Sequence, residues 1–468
     1  MEKAGKISIS DHFTYRKILK FALSPILMML FISLYSIVDG FFISNFAGPG
    51  GTPGIAEYSG VNLIMPVIMI IGGIGFMFGA GGSALVGKLL GEQNKERANK
   101  VFTMMVETTF VIGVVISIAI FFCVKPIAVA MGKLTNGTTQ EMVDKAVEYG
   151  RILSLGQMFF MTQNVFQNFM VVAERQRLGF FFTLAAGVAN MLLDLLFVAI
   201  FHWGVVGAAI ATIVGYVIGS VCPFVFFLRN KNANIRFVLG RFEIKPVLRC
   251  CFNGMSEFVN NISMSIVGVV FNIQLLIYYG QDGVAAYGTI MYVSFLFIAI
   301  YIGYVISISP VISYNYGAQN KIELNSLLKK SMVIISICAI AMLLAGEFLG
   351  PLFAKAYVGS EPELLKLTTL AFRIFSISFL FSGFSIYFSN FFTALNNGLI
   401  SAIISLIKNL ILEIVFVFVL PIFMKEIGIW WSIPIADFCS CILSVIFLLA
   451  FNKKYGYIIT KSVTLQSK

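Results

Sequence analysis

The sequence predicts an all-α polytopic membrane protein: twelve transmembrane helices in two parallel six-helix repeats around a central cavity. Hydrophobic residues make up 59% of the 468-residue chain and charged residues 12%. The mean hydropathy is +0.91, more apolar surface than a water-soluble domain of this length hides. Despite a formal charge of +11, the basic residues flank apolar runs on one side instead of forming a patch for nucleic acid. A polar constellation also recurs, Asn190-Met191-Leu192-Leu193-Asp194 in one half and Asn409-Leu410-Ile411-Leu412-Glu413 in the other. Gly179 and Gly398 precede the two asparagines by the same interval, 190 − 179 = 409 − 398 = 11.

Residues 1–17 read as a cytoplasmic N-terminal segment. The first apolar run, 18–46, is too long for a signal-peptide core and lacks a small-residue cleavage pattern, so it reads as mature structure. It carries Pro25 and, toward its outer half, Asp39. The second, 60–88, is studded with glycine from Gly72 to Gly87, which suits close helix contact or bending. It is followed by Gly91-Glu92-Gln93-Asn94-Lys95. Runs 101–126 and 149–173 come next, the latter with Gln157, Gln163, Asn164, Gln167 and Asn168 among phenylalanines. Run 180–201 holds Asn190 and Asp194 one turn apart on one helical face, and 205–228 completes the first lobe, 18–228.

A basic cytoplasmic linker, 229–249, divides the runs six and six, so both halves enter the membrane in the same orientation. The second lobe, 250–451, contains runs 250–278, with Glu257, Asn260 and Asn261, and 283–312. The sequence Gly317-Ala318-Gln319-Asn320-Lys321 that follows matches the motif closing the second run. Runs 328–354, 370–395, 400–421 and 428–451 precede a cytoplasmic tail, 452–468. All of these runs reach the roughly 20 residues a helix needs to cross about 30 Å. Placing the N terminus inside puts most of the 33 basic residues on the cytoplasmic side, among them Arg16, Lys88, Arg229, Arg249, Lys408 and Lys453. Both termini are therefore expected in the cytoplasm.

No G-x-x-x-x-G-K-[ST] phosphate loop is present, and no connecting stretch has the size of an enzyme domain, so catalysis is not expected. The seven cysteines lie mostly inside apolar runs without ligand spacing to His12 or His202, which argues against disulfides or a metal cluster. The chemistry rests on acids at membrane depth. Such a carboxylate costs about 2.5–3.5 kcal/mol even on the permissive insertion scale, so it faces a cavity, a partner or an ion. Asp39, Asn190 and Asp194 are the ion-coupling candidates: two carboxyls brought together retain a proton or recruit a small cation such as Na⁺, and the amide oxygen adds a ligand. Glu257, Gln163, Asn164, Gln167, Asn260, Asn261 and Glu413 are candidates for substrate binding or coupling. Glu413 sits in the second copy of the repeat, but only Gly268, Val269 and Val270 stand where Asp39 would be matched, which favours one ion site in the first lobe.

The twelve-run pattern, Asp39, the Asn190/Asp194 pair and the repeated endings Ser83 to Gly91 and Ser309 to Gly317 resemble the multidrug and toxic compound extrusion family over nearly the whole chain. The resemblance implies two six-helix lobes exchanging Na⁺ or H⁺ for lipophilic, often cationic, compounds, with the first-lobe cation site at Asp39, Asn190 and Asp194. Glu257 looks like a seventh-span acid found in some members, whereas 371–393 lacks the tenth-span acid of others. A functional monomer in a bacterial cytoplasmic membrane is expected, with a small amphiphilic organic substrate, lipid as its surroundings and no cofactor beyond the coupling ion. The alternatives are a lipid-linked or glycan flippase of related architecture, or a non-transporting receptor or structural protein.

Overall fold

A computed structural model describes residues 7–134, 138–230, 233–358 and 361–458. The outer parts of the N-terminal segment and of the tail, and Lys231 and Asn232 of the linker, lie outside the described residues. The described chain is helical almost throughout, as apolar backbone in a membrane must be if its N–H and C=O groups are to be satisfied within each segment. Among the described residues nine helices are long and apolar enough to cross a membrane, or ten if the pair Pro362–Ser376 (α11) and Phe379–Ala394 (α12), bent by 45°, counts as one span.

In chain order the first helices are α1 (Tyr15–Phe46), α2 (Ile55–Gly91), α3 (Lys95–Leu134), α4 (Gln140–Ser154), α5 (Gln157–Val172), α6 (Gln176–Asp194) and α7 (Gly204–Arg229). The short α8 (Ile244–Asn253) leads to α9 (Met255–Gly317), which at 63 residues would extend roughly 95 Å if straight. It is broken at Gly280, whose φ of 64° and ψ of −147° lie where residues other than glycine are strained. After α10 (Lys321–Val358), α11 and α12 come α13 (Gly398–Leu406), α14 (Glu413–Met424) and α15 (Ile427–Tyr455). Two wide π-helical turns interrupt the series, Leu195–Ile200 after α6 and Ile407–Leu412 between α13 and α14.

Two compact units emerge. One comprises residues 1–26, 87–94 and 262–468; the other comprises 27–86 and 95–261. Within the first, the two matched motifs meet each other. A β-carbon on Gly91 would fall 2.0 Å from the Tyr314 carbonyl oxygen, and one on Gly317 would fall 2.1 Å from that of Lys88, so only glycine permits this crossing of α2 and α9. Each motif then turns the same way. Gln93 and Gln319 adopt left-handed conformations, with φ of 61° and 56°. The next amide closes each helix end, Asn94 donating to the Leu89 carbonyl and Asn320 to that of Asn315, both at 2.9 Å.

The N-terminal segment docks in the same unit. Phe13 is fully buried, its N–H donates to Glu323 Oε1 at 2.9 Å, and its carbonyl accepts from Lys330. In the other unit the basic linker is strapped onto α3, with Arg236 N–H donating to Asn99 Oδ1 at 3.0 Å and Val238 N–H to Thr103 Oγ1 at 3.1 Å.

Candidate functional site

The surroundings of Asp39 are set by how α6 lies against α1. Gly187 is so close to α1 that a β-carbon there would fall 2.5 Å from the Phe31 ring and 2.8 Å from the Tyr35 ring. Along the same faces, Asp39 follows Tyr35 by one turn, while Asn190 and Asp194 follow Gly187 by one and two turns. The carboxyls of Asp39 and Asp194 are thereby neighbours, each within the field of the other. Gly215 of α7 leaves room for Asn190, since its own β-carbon would sit 3.3 Å from that of Asn190.

Asp194 is fully buried, Asn190 almost fully, and Asp39 partly accessible. Three phenols surround the acids: Tyr35, Tyr149 of α4 and Tyr216 of α7 all lie in the field of Asp39, and Tyr216 stacks on Phe160 with centroids 4.6 Å apart. Among the described residues no hydrogen-bond donor reaches Asp39 Oδ1, either carboxylate oxygen of Asp194, or Asn190 Oδ1. Among the described residues no Lys, Arg or His pairs with either acid. Buried oxygens left in this state are costly, and two carboxylates side by side repel. A proton or a hard monovalent cation relieves both problems, and an all-oxygen donor set of two carboxyls and one amide suits either. The wide π-helical turn Leu195–Ile200 begins immediately after Asp194, a kind of irregularity frequent at functional sites.

The glycine contact is testable by itself. Gly187→Val is expected to destabilise the protein by about 1–3 kcal/mol through overpacking. It should also separate Asp39 from Asp194; thermal unfolding and loss of ion binding in the purified variant report the two effects.

The other candidates fall into three places. Gln163, Asn164 and Gln167 are buried on α5, with Gln163 wedged under Gly219 of α7, where a β-carbon would lie 2.6 Å from its Cδ. Glu257, Asn260 and Asn261 form one polar turn at the start of α9. There the Asn260 side chain bonds the Glu257 carboxylate, and Asn261 Nδ2 donates to the Glu257 backbone oxygen at 2.8 Å. Glu413, in the other unit, opens α14 within the fields of Lys408 and Asp437.

Lys408 is a correction to the charge reading, which counted it with the cytoplasmic basic residues. It lies inside the π-helical turn between α13 and α14, and its Nζ is 3.2 Å from Asp437 Oδ1 of α15, with both side chains almost wholly buried. Its position well within run 400–421 was the available signal. Of the phenols, Tyr35 was visible as the residue one turn before Asp39, whereas nothing in the sequence ties Tyr149 or Tyr216 to that acid.

A family model described as MatE matches residues 25–196 and 258–419. Among curated relatives, a "Multidrug export protein MepA" of Staphylococcus saprophyticus subsp. saprophyticus is 25% identical over 420 residues, spanning 87% of this chain and 88% of its own. Its namesake in Staphylococcus haemolyticus is 23% identical and covers 94% of both chains. Among solved structures, "Crystal structure of MATE in complex with MaL6" superposes with a TM-score of 0.86 at 21% identity, over 94% of this chain and 98% of that one. "Outward-facing conformation of a multidrug resistance MATE family transporter of the MOP superfamily" gives 0.85 at 22% identity, with the same shares covered.

Proposed function

The chain belongs to the MatE family, and from that membership we propose that it is an antiporter, driven by H⁺ or Na⁺, that exports lipophilic cationic small molecules. As a member of that family it is a transporter that moves substrate out by alternating access, not an enzyme. The observation that carries the coupling is the adjacency of Asp39 and Asp194, with no basic partner among the described residues and with unsatisfied oxygens around them. An ion entering there cancels charge between α1 and α6. Uptake and release then favour different conformations, which is what coupling requires. Asn190 supplies a further oxygen, and Tyr35, Tyr149 and Tyr216 restrict water around the pair.

For the cargo, the names of the staphylococcal relatives support a multidrug range. Glu257, flanked by Asn260 and Asn261, supplies a carboxylate for a cationic group, while Gln163, Asn164, Gln167 and Glu413 add polar character. Twelve spans follow if the ten-span count gains one for the break at Gly280 in α9 and one for α4 and α5 taken as a broken pair. On this reading the lobes are 18–228 and 250–451, joined by the linker 229–249. The protein acts as a monomer in a bacterial cytoplasmic membrane with both termini inside.

The test is efflux of a lipophilic cationic dye from proteoliposomes under separately imposed Na⁺ and H⁺ gradients. One gradient is expected to drive dye movement and its ionophore to abolish it. Flux that ignores both gradients, or selective movement of an anionic amphiphile, defeats the proposal.

A further inference from the structure

A cavity of about 590 Å³ opens where the basic linker crosses the first turns of α3, wholly within one of the two compact units. That volume falls in the roughly 300–1,000 Å³ of small-molecule sites and exceeds what a bare inorganic anion fills. Lys95, Glu96 and Lys100 of α3 line one wall, Arg236 and Leu239 of the linker the other. The linker keeps its place by alternation. Ile235 is fully buried, and the Phe237 ring lies 4.9 Å from that of Phe102 and 5.3 Å from that of Phe224. The intervening Arg236 side chain therefore turns outward and is exposed. Gly240 rests on the stem of Lys100, where a β-carbon would lie 3.4 Å from Cγ.

Three of these lining side chains are cationic and one is acidic, an excess of two positive charges. Glu96 Oε1 accepts from Lys100 Nζ at 2.7 Å, and Glu243 stands in the field of the same lysine. Among the described residues no carboxylate lies within ion-pair distance of Lys95 or Arg236. Lys95 is also the first residue of α3, whose N-terminal end adds partial positive charge. The cavity suits an anion.

The rim decides which kind. Leu239 is wholly exposed and Phe242 largely so. On α8, Ile244, Leu248 and Phe252 recur every four residues along one exposed face, while Val247, Cys250 and Asn253 are buried on the other. Arg241, Lys245 and Arg249 stand exposed among them. With 10 residues α8 is too short to cross a bilayer. An apolar face bordered by bases is the pattern of a helix lying in the membrane interface. A soluble anion would leave this ridge in water, whereas an anionic phospholipid fills the cavity and covers the ridge.

We propose that the cavity binds the headgroup phosphate of an anionic phospholipid of the cytoplasmic leaflet, between Lys95, Lys100 and Arg236, with Leu239 and the exposed face of α8 in the adjoining acyl region. The leaflet follows from the topology the charges predict. Lys95 and Arg236, which no carboxylate neutralises, discriminate against zwitterionic lipid, which brings no net charge to the site. The inference rests on the chain lying in a membrane and is independent of which ion drives transport.

Native mass spectrometry of the purified full-length protein with phosphatidylglycerol or phosphatidylcholine reads the site directly. The wild type is expected to hold phosphatidylglycerol about 30-fold more tightly, roughly fivefold for each of the two unpaired bases. Lys95→Ala/Arg236→Ala should lose that preference and leave phosphatidylcholine retention unchanged. Lys453→Ala/Lys454→Ala, which removes two bases at the end of α15, should keep it. Should the first double variant not fold, Arg236→Gln alone is expected to cost about fivefold. Equal retention of the two lipids, a preference that survives loss of Lys95 and Arg236, or one that vanishes with Lys453 and Lys454 overturns the site. Inorganic phosphate that displaces phosphatidylglycerol at equal concentration would make this a free-anion site and overturn the lipid assignment.

Discussion

Asp39→Asn and, separately, Asp194→Asn are expected to leave an inserted, folded protein whose gradient-driven efflux falls on the order of 100-fold, the upper range of a coupling free energy. The reason lies in the site. The two carboxyls are neighbours, are buried or partly so, and have no basic partner among the described residues. An amide keeps the shape but carries no charge, so ion uptake no longer changes the balance between conformations. Thermal stability should hold or rise, because each substitution removes one of two repelling charges. Reconstituted variants that still follow an imposed Na⁺ or H⁺ gradient at the wild-type rate would remove these acids from the coupling device.

Lys408→Met carries the largest expected effect on stability. Its ammonium is the buried partner of Asp437 at 3.2 Å, and removing one member of such a pair leaves a stranded charge, a loss of about 3–5 kcal/mol. The double variant Lys408→Met/Asp437→Leu should recover most of that loss, since an apolar pair of similar volume replaces both charges. Thermal unfolding of the single and double variants completes the cycle. A silent single variant would mean that the pair contributes nothing to the fold.

The helical class and the places of the apolar runs were legible because membrane solvent imposes a coarse rule, long apolar runs with self-satisfied backbone and basic flanks, whereas the breaks within α9, between α4 and α5 and between α11 and α12 were not. The acids worth watching were legible for the same reason, since charge in hydrocarbon is expensive wherever it stands. The partners of those acids were not. Hydrophobic periodicity is nearly silent in runs that are apolar on every face, so nothing along the chain says that Gly187 sets Asp194 against Asp39 or that Tyr149 and Tyr216 stand near. Lys408 was misplaced because a charge count assigns a side of the membrane without seeing depth inside a helix.

By itself, then, the sequence determined the solvent this protein lives in, its matched motifs and the acids that stand at membrane depth. Tertiary structure alone decided which of them meet: the glycine crossing of the matched motifs, the Asp39 and Asp194 pair and the Lys408–Asp437 ion pair. Composition and spacing act within one helix, whereas close approach between helices depends on where a missing side chain lets two backbones touch.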